Sequence, residues 1–124
     1  MKLVVHPGEY VIASMPHGVI KPQANEGLFA VIAAPDGTTI VCQRHFEPIT
    51  ATVETGWRWV EIQGPFGFTE VGILRSVLDP ISVSIFSIST FENDHLLVRE
   101  SDLTSAVSAW KDAGFTVSGQ ASSG

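Results

Sequence analysis

Residues 83–99 read VSIFSISTFENDHLLVR, two β-type segments joined by a turn. Over 83–90, apolar side chains alternate with serines, which predicts a strand with one apolar face and one face of small polar groups. The turn falls at Glu92-Asn93-Asp94, since Asn and Asp favour turns through local hydrogen bonds. A second strand is predicted over 95–99.

A helix is predicted on each side of these strands, over 70–81 and 102–113. Each has apolar residues at three- and four-residue spacing, which form one stripe. Thr69 and Ser101 are expected to cap the two helices, and Gly114 is expected to close the second. The stripes consist of Val71, Leu74, Leu78 and Ile81 in the first helix, and of Leu103, Ala106, Val107 and Trp110 in the second.

Further strands over 57–62 and 115–117 complete the order strand, helix, strand, strand, helix, strand. This order is the ferredoxin-like split βαβ pattern and indicates an α+β fold. The preceding part resembles a degenerate copy, with strands over 9–15, 28–34 and 38–42, an irregular crossover and a weak helix. We therefore predict two ferredoxin-like βαββαβ modules in tandem, followed by a flexible tail. Their ranges are 1–56, 57–118 and 119–124.

The connection from the first helix to the next strand is unusually short. With the helix ending near Ile81 and the strand beginning at Val83, only Ser82 is left, whereas such connections usually take about 2 to 6 residues. Pro80 also lacks an N–H and disfavours the last helical turn. Either the helix is shortened by about a turn, or residues are missing between Ser82 and Val83. We expect the second.

Composition narrows the class of protein. The chain has 124 residues, a net charge of −6 and a pI near 5.0, so it lacks the basic excess of a nucleic-acid-binding surface. The longest apolar run, 29–35, is far shorter than the roughly 20 residues of a membrane helix. Cys42 is the single cysteine, and no histidine pair has i, i+4 spacing, so neither a disulfide nor a zinc site is expected. We expect a soluble cytoplasmic protein with no cofactor.

Two segments carry a resemblance to a known family. Residues 64–74 read GPFGFTEVGIL and residues 85–98 read IFSISTFENDHLLV. Together they resemble the tandem ACT-domain proteins, a small ACT-repeat family similar to the regulatory part of aspartate kinase and to the cytosolic arginine sensors. The resemblance covers 57–113 and is weaker over 9–56. It implies paired ACT modules that hold small ligands at module interfaces, with the first module degenerate.

The chemistry of an amino-acid ligand fits these segments. Its carboxylate needs N–H groups, which the glycine-bearing loop around Gly67 and Gly72 offers, and its ammonium needs a carboxylate such as Asp94 or Glu70. Asn93 replaces an apolar side chain of the arginine-sensor pattern, so arginine itself is not implied. We expect ligand contacts from a loop and from a facing turn, and the resemblance implies all of them except those of Phe68 and Thr69. The loop residues are Gly67, Phe68, Thr69, Glu70, Val71, Gly72 and Ile73, and the turn residues are Thr90, Phe91 and Asp94.

Each feature also has a plainer interpretation. The glycines can simply form a tight strand-to-helix turn, Asp94 can be a turn residue, and Glu70 can complement the helix dipole. The favoured function is a non-enzymatic regulatory module that binds an amino acid or similar ligand. The first alternative is a structural or protein-interaction dimer without a ligand. The second is a small enzyme with Asp94 or Glu70 as base, but the sequence shows no nucleophile. We expect a homodimer, because two small modules have limited cores.

Overall fold

The computed structural model describes residues 2–16, 27–49, 51–63 and 72–119. The chain forms strands and helices of an α+β fold, as predicted. The elements are β1 (Lys2–Val5), β2 (Tyr10–Met15), β3 (Ala30–Ala34), β4 (Gly37–Gln43), β5 (Thr52–Ile62), α1 (Ile73–Leu78), β6 (Ile85–Ser89), β7 (Asp94–Arg99), a 3₁₀ turn (Glu100–Asp102), α2 (Leu103–Asp112) and β8 (Thr116–Gly119). No helix in the described part of the chain is long and apolar enough to cross a membrane.

Contacts divide the chain into two compact units. The larger unit joins Met1–Pro7 to Arg58–Gly124, and the smaller unit is Gly8–Trp57. The inner boundary lies close to the predicted one between residues 56 and 57. The first seven residues, however, pack with the larger unit and not with the module 1–56. The assignment of two modules and a tail as domains stays a prediction.

The larger unit contains the predicted element order β5, α1, β6, β7, α2, β8. Its strands are arranged β8-β1-β5-β7-β6. The order includes one strand that the sequence analysis missed, β1, which pairs antiparallel with β5 at Leu3↔Ile62 and parallel with β8 at Leu3↔Val117. Leu3 and Val5 lie on the same face of β1 and are almost completely buried in the core that includes Trp110 of α2.

Helix α2 confirms the predicted stripe, since Leu103, Ala106, Val107 and Trp110 are its buried residues. Gly114 follows the end of the helix and closes it as predicted, with φ +96°, because the left-handed closing position favours glycine. The start of the helix differs. A 3₁₀ turn precedes α2, the cap residue is Asp102, and no side chain caps the helix, so the prediction of Ser101 as cap is wrong. The indole Nε1–H of Trp110 donates to the Val77 carbonyl at 2.8 Å and thereby ties α2 to α1.

Helix α1 is shorter than the predicted range 70–81. It ends at Leu78, two residues before Pro80, which cannot donate an N–H to a further helical turn. Its buried residue is Val77, which the predicted stripe did not include, while Leu74, Leu78 and Ile81 of that stripe are partly buried against the same core. Residues 79–84 then connect it to β6, a connection of ordinary length. The structure thus follows the shortened-helix alternative. Because the helix ends earlier, the connection is long enough without the residues that were expected to be missing between Ser82 and Val83.

The smaller unit is built on the predicted hairpin. Strands β3 and β4 pair antiparallel up to Ala34↔Gly37, on either side of the two-residue turn 35–36. Their sheet continues through β2 to the first half of β5. The weak helix predicted before residue 57 is absent from the described residues 44–49 and 51, since β5 already begins at Thr52. Cys42 is buried in the core, and burial raises the pKa of its thiol to about 11.

Candidate functional site

The turn between β6 and β7 carries three of the predicted ligand residues. It is closed by the backbone N–H and the hydroxyl of Thr90, which donate to the Asn93 carbonyl at 2.9 and 3.0 Å. At its base the Ser89 hydroxyl donates to Oδ1 of Asp94 at 2.6 Å. These bonds hold Thr90 and Asp94 in a defined arrangement, whereas the side chain of Phe91 is exposed.

A directed chain of hydrogen bonds fixes this turn to the sheet. The indole Nε1–H of Trp59 donates to Nδ1 of His95 at 3.0 Å, and Nε2 of His95 lies 3.0 Å from the Thr90 hydroxyl. Because an indole N–H can only donate, Nδ1 of His95 is the acceptor and the ring proton lies on Nε2. The ring therefore donates a hydrogen bond to the Thr90 hydroxyl, and this hydroxyl donates one to the Asn93 carbonyl.

The same geometry holds His95 in its neutral form. The residue is 7% exposed, and burial lowers its pKa below the usual 6.5. The carboxylates of Glu61 and Asp94 act in the opposite direction, and His6 adds to the lowering. Burial is the largest of these effects, and it agrees with the Trp59 bond, which requires an unprotonated Nδ1.

A second branch ties the turn to the end of β1. Nε2 of His6 lies 2.8 Å from Oε1 of Glu61, and the side-chain amide of Asn93 donates to the other oxygen of Glu61. The imidazole of His6 stacks on Trp59 with ring centroids 3.6 Å apart. We call the six residues His6, Trp59, Glu61, Thr90, Asn93 and His95 the His95 network. No sequence motif predicted this network, although alternation along β5 places Trp59 and Glu61 on one face.

The backbone conformation at the start of α1 explains why glycine occupies position 72, one of the predicted site residues. Gly72 lies within the predicted helix 70–81, and the loop around it was expected to offer N–H groups to a ligand carboxylate. It instead precedes the helix as cap residue with φ +80°, a left-handed conformation that favours glycine. A Cβ at Gly72 would meet no atom within 4 Å, so the space is also open. The Ser76 hydroxyl and N–H both donate to the Gly72 carbonyl, at 2.7 and 2.8 Å.

The predicted site is therefore described in part. Gly72, Ile73, Thr90, Phe91 and Asp94 belong to the larger unit and are described. That the loop and the turn face one ligand stays a prediction. Among the described residues, no group of three or more His, Cys, Asp or Glu could hold a metal ion. Five loop residues lie outside the described residues: Gly67, Phe68, Thr69, Glu70 and Val71.

Comparison with known proteins agrees with this fold. The profile of the ACT domain matches residues 52–112. The cytosolic arginine sensor for mTORC1 subunit 1 of Rattus norvegicus is 42% identical over 55 residues, which are 41% of this chain and 17% of the sensor. The human sensor matches with the same identity and coverage. The chain thus spans about a sixth of the length of these curated relatives.

Solved structures match over nearly the whole chain. A crystal structure of an Agobacterium tumefaciens protein has a TM-score of 0.85 at 34% identity, and covers 94% of this chain and 91% of that one. A Vibrio cholerae protein of unknown function gives 0.70 at 15% identity, with 90% and 88% coverage. Clostridium acetobutylicum aspartate kinase gives 0.63 at 14% identity, with 90% and 34% coverage. The last two show the fold alone. From the domain match and these similarities, the chain contains an ACT domain over residues 52–112.

Proposed function

We propose that this chain is a non-enzymatic regulatory protein that binds an amino acid or similar small ligand between the loop 67–73 and the β6–β7 turn. One observation carries the proposal. The ACT-domain match over 52–112 runs through both of these segments. The arginine sensors that resemble the chain are themselves named for sensing an amino acid. Ligand binding would act by shifting the equilibrium between module arrangements.

The polar groups of the turn suit the ammonium end of such a ligand. The hydroxyl of Thr90 accepts from His95 and donates to the Asn93 carbonyl, so it can only accept a hydrogen bond from a ligand. Asp94 accepts the Ser89 hydroxyl at Oδ1, and its Oδ2 has no bond among the described residues. The turn thus offers acceptors. The carboxylate end is left to the backbone N–H groups of the glycine-bearing loop. Asn93 stands where the arginine-sensor pattern has an apolar side chain, and this leaves the choice of amino acid open.

A thermal-shift screen of the native protein with the twenty amino acids tests the function. At least one amino acid is expected to raise the melting temperature, and calorimetry should give a saturable affinity for it. If none of the twenty changes the melting temperature or gives binding heat, the proposed function is wrong, and the dimer without ligand becomes the better account.

Two variant pairs test the location of the site. Gly72→Arg places bulk at the start of α1 and should abolish the stabilisation by the ligand. Gly114→Arg is the matched control, because both glycines have positive φ and open space at Cβ. Asp94→Asn removes the charge expected to hold the ammonium, with Asp112→Asn on exposed helix surface as its control. Equal ligand binding by the site variants and their controls would refute the location.

We further propose that the protein acts in the cytoplasm as a homodimer. The exposed side chains of β3 support the dimer, since Val31 and Ile32 are 40% and 41% exposed on a strand that pairs with β4 alone among the described strands. Sedimentation velocity at micromolar concentration should give twice the chain mass of 13.3 kDa. Ile32→Lys should shift the protein toward monomer. Ile49→Lys is the control, because Ile49 is fully exposed in the same unit, and it should leave the sedimentation unchanged. A native monomer would refute the dimer.

A further inference from the structure

An open groove in the smaller unit is not part of the site described above. It has a volume of about 410 Å³, within the range of small-ligand pockets. The groove lies where the β2–β4 pairing continues past Tyr10↔Gln43, because the Arg44 N–H donates to the Glu9 carbonyl at 2.9 Å. Its lining residues are Gly8, Glu9, Gln43, Arg44, His45 and Phe46.

The groove holds two opposite charges in fixed positions. Oε1 of Glu9 accepts from Nη1 of Arg44 at 3.0 Å, and Oε2 accepts the Gly56 N–H at 2.8 Å. Each carboxylate oxygen keeps a further lone pair. Arg44 has five N–H donors, of which one serves Glu9, so the edge formed by Nε and Nη2 can still take a carboxylate in a bidentate contact. The side chains of Arg44 and Glu9 are 48% and 32% exposed, and ion pairs with this exposure add little to stability. The pair is therefore available for recognition of a ligand.

The backbone turns sharply to bring the other lining residues to the groove. His45 is the one non-glycine residue with positive φ in the described part of the chain, at +83°. Its N–H donates to Glu47 at 2.6 Å, and the Phe46 N–H donates to the Gln43 carbonyl at 3.1 Å, which together maintain this conformation. Strained positions of this kind concentrate at binding sites. Phe46 remains 37% exposed and supplies an apolar wall.

We propose that this groove is a second binding site, for a small zwitterion with an apolar side chain. The ligand carboxylate binds the Nε–Nη2 edge of Arg44, its ammonium binds Glu9, and its side chain lies on Phe46. A simple anion would meet the charges of Glu9 and the nearby Glu47, and a simple cation would meet Arg44. Only a ligand with both charges is complementary to both residues. The proposal does not rest on ligand binding at the β6–β7 turn, which uses none of these residues.

Three probes of the same shape test the charge requirement: phenylalanine, 3-phenylpropanoate without the ammonium, and phenethylamine without the carboxylate. Amide chemical shifts of the full chain report where each binds. Phenylalanine should shift the amides of His45, Phe46 and Gly56 at millimolar concentration, and both analogues should bind at least about tenfold more weakly. Absence of shifts at these amides, or equal binding of an analogue, would overturn the proposal.

Variants test the residues. Arg44→Gln should weaken phenylalanine binding at these amides at least about tenfold. Arg75→Gln is the matched control, because Arg75 is also exposed and paired with a carboxylate, Asp79 at 3.7 Å, but lines no part of the groove. Arg44→Lys keeps the charge without the planar fork and should also bind more weakly. Binding unchanged by Arg44→Gln would refute the site. Shifts at Thr90 and Asp94 in the same spectra report separately on the proposed function.

Discussion

Acid should destabilise the larger unit through His95. The neutral ring of His95 accepts the Trp59 indole N–H at Nδ1, at 3.0 Å. Protonation would give the ring a second N–H, at Nδ1, which would point at the N–H of Trp59. A buried donor would then lose its acceptor, at a cost of about 1–3 kcal/mol. Burial acts in the same direction and lowers the pKa of His95 in the folded state. The folded protein therefore resists taking up this proton.

The sign and the limit of the effect follow from linkage. In the unfolded chain His95 takes up its proton near the usual pKa of 6.5, whereas the folded state takes it up only at lower pH. Above the unfolded-state pKa of 6.5, the contribution of His95 to the free energy of unfolding is complete. As the pH falls below 6.5, the unfolded state binds more protons than the folded state, and the free energy of unfolding falls by at most about 1.4 kcal/mol per pH unit. The fall stops below the pKa of the folded state.

The assay is chemical denaturation followed by circular dichroism between about pH 5 and pH 8. His95→Asn should flatten the acid limb, because Asn cannot titrate while its carbonyl can still accept from Trp59. The control is His45→Asn, an exposed histidine whose left-handed backbone Asn tolerates. This variant should keep the slope of the native protein. The same slope in the native protein and in His95→Asn would refute the reasoning.

Further predictions concern packing. Trp110→Phe removes the bond to the Val77 carbonyl and leaves a buried acceptor unpaired, so it should lower the free energy of unfolding by about 1–3 kcal/mol. Leu103→Ala empties a fully buried position and should lower it by about 2–5 kcal/mol, whereas Thr104→Ala, on the exposed side of α2, should change it by less than about 0.5 kcal/mol. Urea denaturation measures all three, and an equal loss in Leu103→Ala and Thr104→Ala would contradict the assigned helix face.

The sequence predicted best where the signal was local. The α2 stripe, the Gly114 closure and the β3–β4 hairpin depend on spacing and on residues that favour one backbone conformation. Helix α1 was predicted too long because apolar spacing continued to Ile81. The missing N–H of Pro80 nevertheless limits the helix, and the structure ends it at Leu78. Both helices were thus detectable, but their ends depended on single residues that periodicity does not weigh.

Long-range pairing set the limit of prediction. Strand β1 is four residues long, and it is recognisable as a strand only once β5 and β8 lie on either side of it. Its pairing also explains why the first seven residues belong to the larger unit, against the expected module 1–56. A four-residue segment with three apolar side chains carries too little periodicity to separate a strand from an irregular terminus.

In the proposed ligand site, too, the residues of the turn were predictable from the local sequence, whereas the contacts that orient them were not. Thr90 and Asp94 could be selected from the resemblance, and the turn between β6 and β7 from its Asn and Asp. What orients the Thr90 hydroxyl is His95, whose proton position is set by Trp59, 36 residues away in the sequence. Because the Thr90 hydroxyl donates its proton to the Asn93 carbonyl, this hydroxyl can only accept a hydrogen bond from a ligand. In the proposed site, Thr90 and Asp94 accept from the ligand ammonium, and the loop N–H groups donate to its carboxylate. The role of Thr90 thus depends on the contact between Trp59 and His95, which sequence spacing does not encode.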